Sequence, residues 1–208
     1  MPQFTECEAQ SLQRAYDHLN EFLFDGALSP VMLLLHRHRG ARGYFRADAF
    51  SERGAAGFKV HEVALNPDTF RGYSDLEVLS VLAHEQAHQW QQEYGKSPRK
   101  CYHDKQWANK MEEIGLMPST TGQEGGKRTG QRVSHYIIPG GRFEVAAQKL
   151  LADGFRFALD GNPSLPIPAK KTKIKYTCEP CEVNAWAKPD TKLICGQCGS
   201  EMQEAEEL

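Results

Sequence analysis

From Ala9 to Phe24 the apolar positions Leu12, Ala15, Tyr16, Leu19, Phe22 and Leu23 recur at intervals of three and four, and predict an amphipathic helix. The pattern then changes. A Leu-rich run from Val31 to His38 reads as a strand, a turn follows at Arg39–Gly43, and Tyr44–Phe50 and Phe58–Asn66 read as two more strands divided by Gly54 and Gly57. Asn66-Pro67-Asp68 closes this small, antiparallel sheet. A long helix is predicted from an N-cap at Asp75 to Gly95, and a second from about Asp104 to Ile114, stopped by Gly115. Pro118–Gly130, rich in Gly, Ser and Thr, reads as a loop, and Phe143–Leu159 holds a further helical stretch.

The last fifth of the chain has a different texture. Pro163, Pro166 and Pro168 with the lysines after them read as a linker, and a cysteine-rich module follows. The organisation predicted is a domain over 1–160, a linker over 161–175, a ribbon over 176–202 and an acidic tail over 203–208. The fold class is α+β: helices packed on a small, mostly antiparallel sheet.

Chemistry is concentrated in the long helix. His84-Glu85-Gln86-Ala87-His88 puts two imidazoles four residues apart, on one helical face, where both can reach one Zn²⁺. Glu85 lies beside the first of them. Zinc lowers the pKa of a bound water to near neutrality, and Glu85 can take its proton and later protonate a leaving amine. A peptidase site needs a third protein ligand and an open fourth position. Gln91 and Tyr94 stand where an extended motif would place glycine and a third histidine, so that class is excluded. His103, 15 residues after His88 and just before the next helix, is the preferred third ligand because imidazole suits zinc; Glu112 and Glu113 are the alternatives. His18, His36, His38 and His61 read as solvent-facing, and His61-Glu62 is a decoy because Leu65 replaces the second histidine. His135 and Tyr136 are candidates for the cleft, where either could stabilise an oxyanion.

Cys178-x-x-Cys181 and Cys195-x-x-Cys198, thirteen residues apart, carry zinc-ribbon spacing. Two tight turns would aim four thiolates at one structural metal, joined by a hairpin of Asn184–Lys188 and Lys192–Ile194. Cys7 and Cys101 stand alone and read as ordinary thiols. The implied cofactors are therefore two zinc ions, one catalytic and one structural.

Bulk properties narrow the rest. Of 208 residues 40% are hydrophobic and 25% charged, enough for a globular core. No apolar run approaches the ~20 residues that span a bilayer, and the N-terminus lacks the pattern of a secretory signal, so a cytoplasmic location and no membrane partner are expected. A net charge of −2 gives no general prior for nucleic acid, but six Lys/Arg between Lys127 and Arg156, and Lys170, Lys171, Lys173 and Lys175, form local basic clusters. With Trp186 they make DNA a candidate partner of the ribbon.

These residues together resemble the SprT-like family. The resemblance runs through Gly43-Tyr44-Phe45, Ala64-Leu65-Asn66-Pro67, Leu82–His88, His103-Asp104-Lys105-Gln106-Trp107 and the terminal four-cysteine ribbon. It implies a compact zincin fold with His84, His88 and His103 as zinc ligands and Glu85 as catalyst. The Gly125–Tyr136 segment is similar to an elaboration found in some relatives only. Relatives of the Spartan type cleave proteins crosslinked to DNA, which extends the expectation to DNA-associated protein substrates. The expected function is a zinc-dependent metalloendopeptidase acting on proteins. The alternatives are a nucleic-acid-binding or scaffold protein with a non-catalytic helical zinc site, and a metal-dependent amidase of small molecules.

Overall fold

The computed structural model describes residues 3–51, 53–54, 57, 59–97, 99, 102–162 and 173–204. Cys101, most of the linker with Pro163, Pro166, Pro168, Lys170 and Lys171, and the end of the acidic tail lie outside the described residues. The chain divides into two compact units, Met1–Pro163 and Ser164–Leu208.

In the first unit, α1 spans Phe4–Phe24 and buries Leu12, Ala15, Tyr16, Leu19 and Leu23, the stripe read from the sequence. It begins one turn earlier than the apolar period suggests, because its first turn is polar and carries no periodic signal. That turn includes Glu8, which is buried. Asp25, left-handed at φ 55°, and Gly26 end the helix.

The sheet comprises β1 (Val31–Leu35), β2 (Gly43–Ser51) and β3 (Lys59–Leu65). Its order is β1-β3-β2, with β2 antiparallel and β1 parallel to β3. The β1–β3 pairing is the parallel exception in a fold expected to be mostly antiparallel. The third strand inserts between the first two because Val63-Ala64-Leu65 is the most buried run of the three and needs a neighbour on each side. Asn66 then fixes the loop before β2: its side-chain amide donates to the carbonyls of His38 (2.8 Å) and Ala41 (2.9 Å).

The long helix α2 runs from Asp75 to Tyr94. Its cap is Ser74 rather than Asp75, in a capping box: the Ser74 hydroxyl accepts from the Glu77 amide, and the Glu77 carboxylate accepts from the Ser74 amide at 2.7 Å. Every residue from Val78 to Ala87 is buried, so this helix has no solvated face in its middle. A turn later, α3 (Lys105–Glu113) begins at the Asp104 cap. The loop expected over 118–130 is shifted to 120–133, because β4 (Leu116–Ser119) pairs antiparallel with β5 (Ser134–Ile137). Proline and four-residue length hid β4 from the sequence pattern. Finally α4 (Arg142–Ala152) packs against α1 through Phe143, Ala146, Ala147 and Leu150.

The second unit is a three-stranded antiparallel sheet, β7-β6-β8, with β6 at Ile174–Thr177, β7 at Asn184–Ala187 and β8 at Gln203–Glu204. Asn184–Ala187 pairs with β6 and not with Lys192–Ile194; the latter makes only an isolated bridge, Ile194 to Glu201. The hairpin therefore straddles the first cysteine pair instead of joining the two pairs. Among the named strands, only the β1–β3 pairing is parallel.

The buried Glu8 has a physical consequence. Neither carboxylate oxygen reaches a hydrogen-bond donor, and burial raises its pKa, partly offset by the Ala158 backbone. The folded chain thus holds a proton that the unfolded chain releases near the ordinary carboxyl pKa. Stability falls as pH rises from that value through the folded pKa. Glu8→Met removes the uncompensated group and should stabilise the chain at neutral pH by about 1–2 kcal/mol in urea denaturation. The gain should shrink as the pH is lowered towards 4.

Candidate metal centre

Six polar residues lie buried along α2; Ser80 bonds within its own helix, to the Glu77 carbonyl, and the other five are of two kinds. Gln86, Gln89 and Gln91 are tied to the fold. Gln86 donates to the Tyr16 carbonyl (3.0 Å) and Gln89 to the Ser29 carbonyl (2.8 Å), while Gln91 donates to the Asp104 carboxylate (2.8 Å). His84 and Glu85 make no such structural bond to neighbouring helices, and they sit one turn from His88.

The rings of His84, His88 and His103 converge. Their centroids are 5.1 Å apart for His84–His88, 5.5 Å for His84–His103 and 4.8 Å for His88–His103. One nitrogen from each lies within 4.8 Å of the others, so the three could hold one metal ion. The donors fit zinc: three imidazoles, with no fourth side chain in the group among the described residues. Glu112 and Glu113, the alternative third ligands, are engaged elsewhere, with Arg128 and Lys110 respectively.

His103 is brought there by three contacts that the motif alone did not reveal. Asp104 caps α3 by accepting from the amides of Gln106 (2.9 Å) and Trp107 (3.1 Å), and the same oxygen takes the Gln91 bond from α2. The start of α3 is thereby held against the metal-site helix. Gly130 forms a two-bond backbone bridge with His103, at 2.8 and 3.0 Å, and its carbonyl also accepts from His103 Nδ1 at 3.2 Å. A carbonyl can only accept, so His103 carries its proton on Nδ1 and offers Nε2. Gly130 has φ 150°, outside the range a side chain tolerates easily, so glycine is required at this contact. Trp107 is fully buried and floors the cluster, its ring 4.8, 5.1 and 4.4 Å from those of His84, His88 and His103. Neither Trp107 nor Gly130 could be assigned such a place from periodicity or spacing.

Burial sets the charge state. It lowers His84 well below the ordinary imidazole range, with the neighbouring histidines adding to the effect, and pushes His88 down to about 3. His103 is lowered by burial and partly restored by the Gly130 carbonyl. Neutral rings with free lone pairs are the form that a divalent cation binds. Glu85 is pushed the other way, up to about 8, again by burial, with a Phe45 backbone hydrogen bond opposing. Its carboxylate lies against the edge strand. A Cβ on Gly43 would come within 2.9 Å of the Ala64 carbonyl, 3.0 Å of Val81 and 3.2 Å of Glu85 Oε1. Glycine at 43 therefore leaves room for the Glu85 side chain beside β2.

Of the two cleft candidates, the structure brings only His135 to the cluster. Its ring lies 5.2 Å from that of His84, with the two Nδ1 atoms 3.1 Å apart. Tyr136 falls on the opposite face of β5 by strand alternation and is absent from the ring contacts of this cluster. The remaining histidines divide. His36 and His38 are exposed, as read. His18 and His61 are half-buried: His18 Nε2 donates to the Ala146 carbonyl (2.8 Å), and His61 Nδ1 accepts from the Asp48 amide (2.9 Å).

In the second unit, Cys178, Cys181, Cys195 and Cys198 form a second group whose sulfurs all lie within 4.8 Å, and which could hold a metal. The two pairs are built alike. The backbone carbonyl of Cys178 accepts from the Glu182 amide (2.8 Å) and that of Cys195 from the Gly199 amide (2.9 Å), and both Glu182 and Gly199 have positive φ. Tyr176 and Met202 pack with Cys178 and Cys195 in a core of their own. Cys7, by contrast, is exposed on α1.

No helix among the described residues is long and apolar enough to cross a membrane. Comparison with known proteins finds no match among curated proteins or solved structures. The family model for the SprT-like family matches residues 12–128, a span holding the sheet, α2, α3 and all three converging histidines. That span exceeds half of the 208 residues, and the chain belongs to the SprT-like family.

Proposed function

We propose that this chain is a zinc-dependent metalloendopeptidase that hydrolyses peptide bonds in protein substrates. The observation that carries the reading is the convergence of His84, His88 and His103 at the helix that carries the buried carboxyl of Glu85. Bound by the three imidazoles, zinc would supply a Lewis acid and make hydroxide available near neutral pH. The cation's charge would also favour ionised Glu85, whose pKa in the metal-free chain is held up by burial. Glu85 in that form takes a proton from the attacking water and returns it to the departing amine. The neutral imidazoles hold their place without competing for that proton.

The substrate's place follows from the sheet. Among the described strands β2 is an edge, paired only with β3, and it packs on α2 beside Glu85. An extended peptide can add to that edge by main-chain hydrogen bonds, which suits a protein substrate better than a small amide. The four-cysteine unit has a closed, all-sulfur donor set and so a structural role.

A nucleic-acid contact for the ribbon has one observation in its favour. Trp186 is 61% exposed, and its direct cross-strand neighbour on the same face is the exposed Lys175. An aromatic ring beside a cation is the arrangement on which single-stranded bases stack.

Three measurements test these proposals. Glu85→Gln should lower protein cleavage at least about 100-fold while leaving zinc bound; retained cleavage would exclude Glu85 as the base. Elemental analysis should find two zinc per chain, falling to one when the four cysteines are replaced by serine. Trp186→Ala should weaken single-stranded DNA binding by about tenfold at fixed salt. Unchanged binding would remove DNA as a partner of this face.

A further inference from the structure

Ser80 lies one turn before His84 on α2, and its hydroxyl donates to the Glu77 carbonyl at 2.7 Å. A carbonyl cannot donate, so the Ser80 proton is committed and its oxygen is left to accept. His135 Nε2 lies 2.8 Å from that oxygen and must therefore be the donor. Its two nitrogens face the Ser80 oxygen and His84 Nδ1, with no carboxylate paired to the ring among the described residues, so nothing there holds a second proton and the ring carries one only. That proton is on Nε2, and His135 Nδ1 is an acceptor. The atom facing it at 3.1 Å is His84 Nδ1. His84 must supply the proton of this bond, and Nε2 is then the one lone pair that His84 can offer a cation.

We infer that His135 is a positioning residue for the metal centre: by accepting the Nδ1 proton of His84 and passing the polarity on to Ser80 and the Glu77 carbonyl, it fixes His84 in the tautomer that ligates through Nε2. The inference rests on the reading that the three histidines hold zinc. It assigns His135 a role behind the ligand in place of one at the reacting carbonyl. It also explains why a half-buried, hydrogen-bonded histidine stands on β5, a strand apart from the segments that carry the triad. His103 is fixed in the same sense by the Gly130 carbonyl. Two of the three ligands thus have their Nδ1 protons anchored by an acceptor, the arrangement that orients a metal-binding imidazole and raises its basicity.

The test uses the full chain, with Zn²⁺ as the probe and a competing chelator to read affinity at each site. His135→Leu should weaken zinc at the histidine site by roughly 10–100-fold and leave the four-cysteine site unchanged. His135→Asn, whose side-chain carbonyl can accept from His84, should recover most of the loss. Ser80→Ala keeps the packing and removes the far end of the chain; it should give a smaller loss, of several-fold. Long-range ¹⁵N–¹H correlation spectra of the metal-free wild type should show the His84 proton on Nδ1 and the His135 proton on Nε2. The inference is overturned if those spectra place the His84 proton on Nε2, or if His135→Leu binds zinc as the wild type does while His84→Ala abolishes the site. A wild-type chain that takes zinc only at its cysteines would instead overturn the metal reading on which the inference stands.

Discussion

The structure depends on the complete desolvation of the middle of α2. A helix with no wet face in its middle is under pressure to pair the polar groups it carries there, and α2 carries six buried polar residues. Three glutamines answer it with their side-chain amide donors, bonding α1, the β1 approach and the α3 cap, and so act as the joints that fix neighbouring elements around the helix. His84 and Glu85 bond instead within the site, to His135 and to the Phe45 backbone. The same desolvation that would penalise them as structural residues makes one a neutral donor and the other a carboxyl poised near physiological pH.

The sheet and α3 take their places around this helix for related reasons. The small Gly43 lets the edge strand approach Val81 and Glu85, while Asn66 gathers the loop that leads into it. Trp107 fills the space under the three rings with a flat apolar surface, which limits how far each can turn. The ribbon follows a different logic. Its core is four side chains, two of them cysteines, too small to fold on apolar burial alone.

The helices were legible because their signals are local. α1 showed the 3.6-residue period, α3 showed its start near Asp104 and its Gly115 stop, and the histidine pair on α2 showed the one-turn spacing that a shared ion needs. The four cysteines were legible for the same reason. What escaped was set by contacts between distant segments. The place of β3 between β1 and β2 reflects relative burial of three short strands, which no single strand displays. β4 was masked by Pro118, and the hairpin of the ribbon was assigned to the wrong partner because both candidates are short. His135 and Tyr136 looked equivalent in sequence, and only the alternation of β5 separates them. Gly130 stood in a glycine-rich run in which nothing marked it as the one bonded to His103.

A single carboxylate oxygen, Asp104 Oδ1, both initiates α3 and receives the clasp from Gln91. The third imidazole therefore gains its place only when that helix has nucleated and docked. A partly folded chain would present two histidines, a weak chelate, and the full grip would form at the last step of assembly. Metal capture in such a design would report on the completeness of the native state, and would withhold the full site from an immature polypeptide.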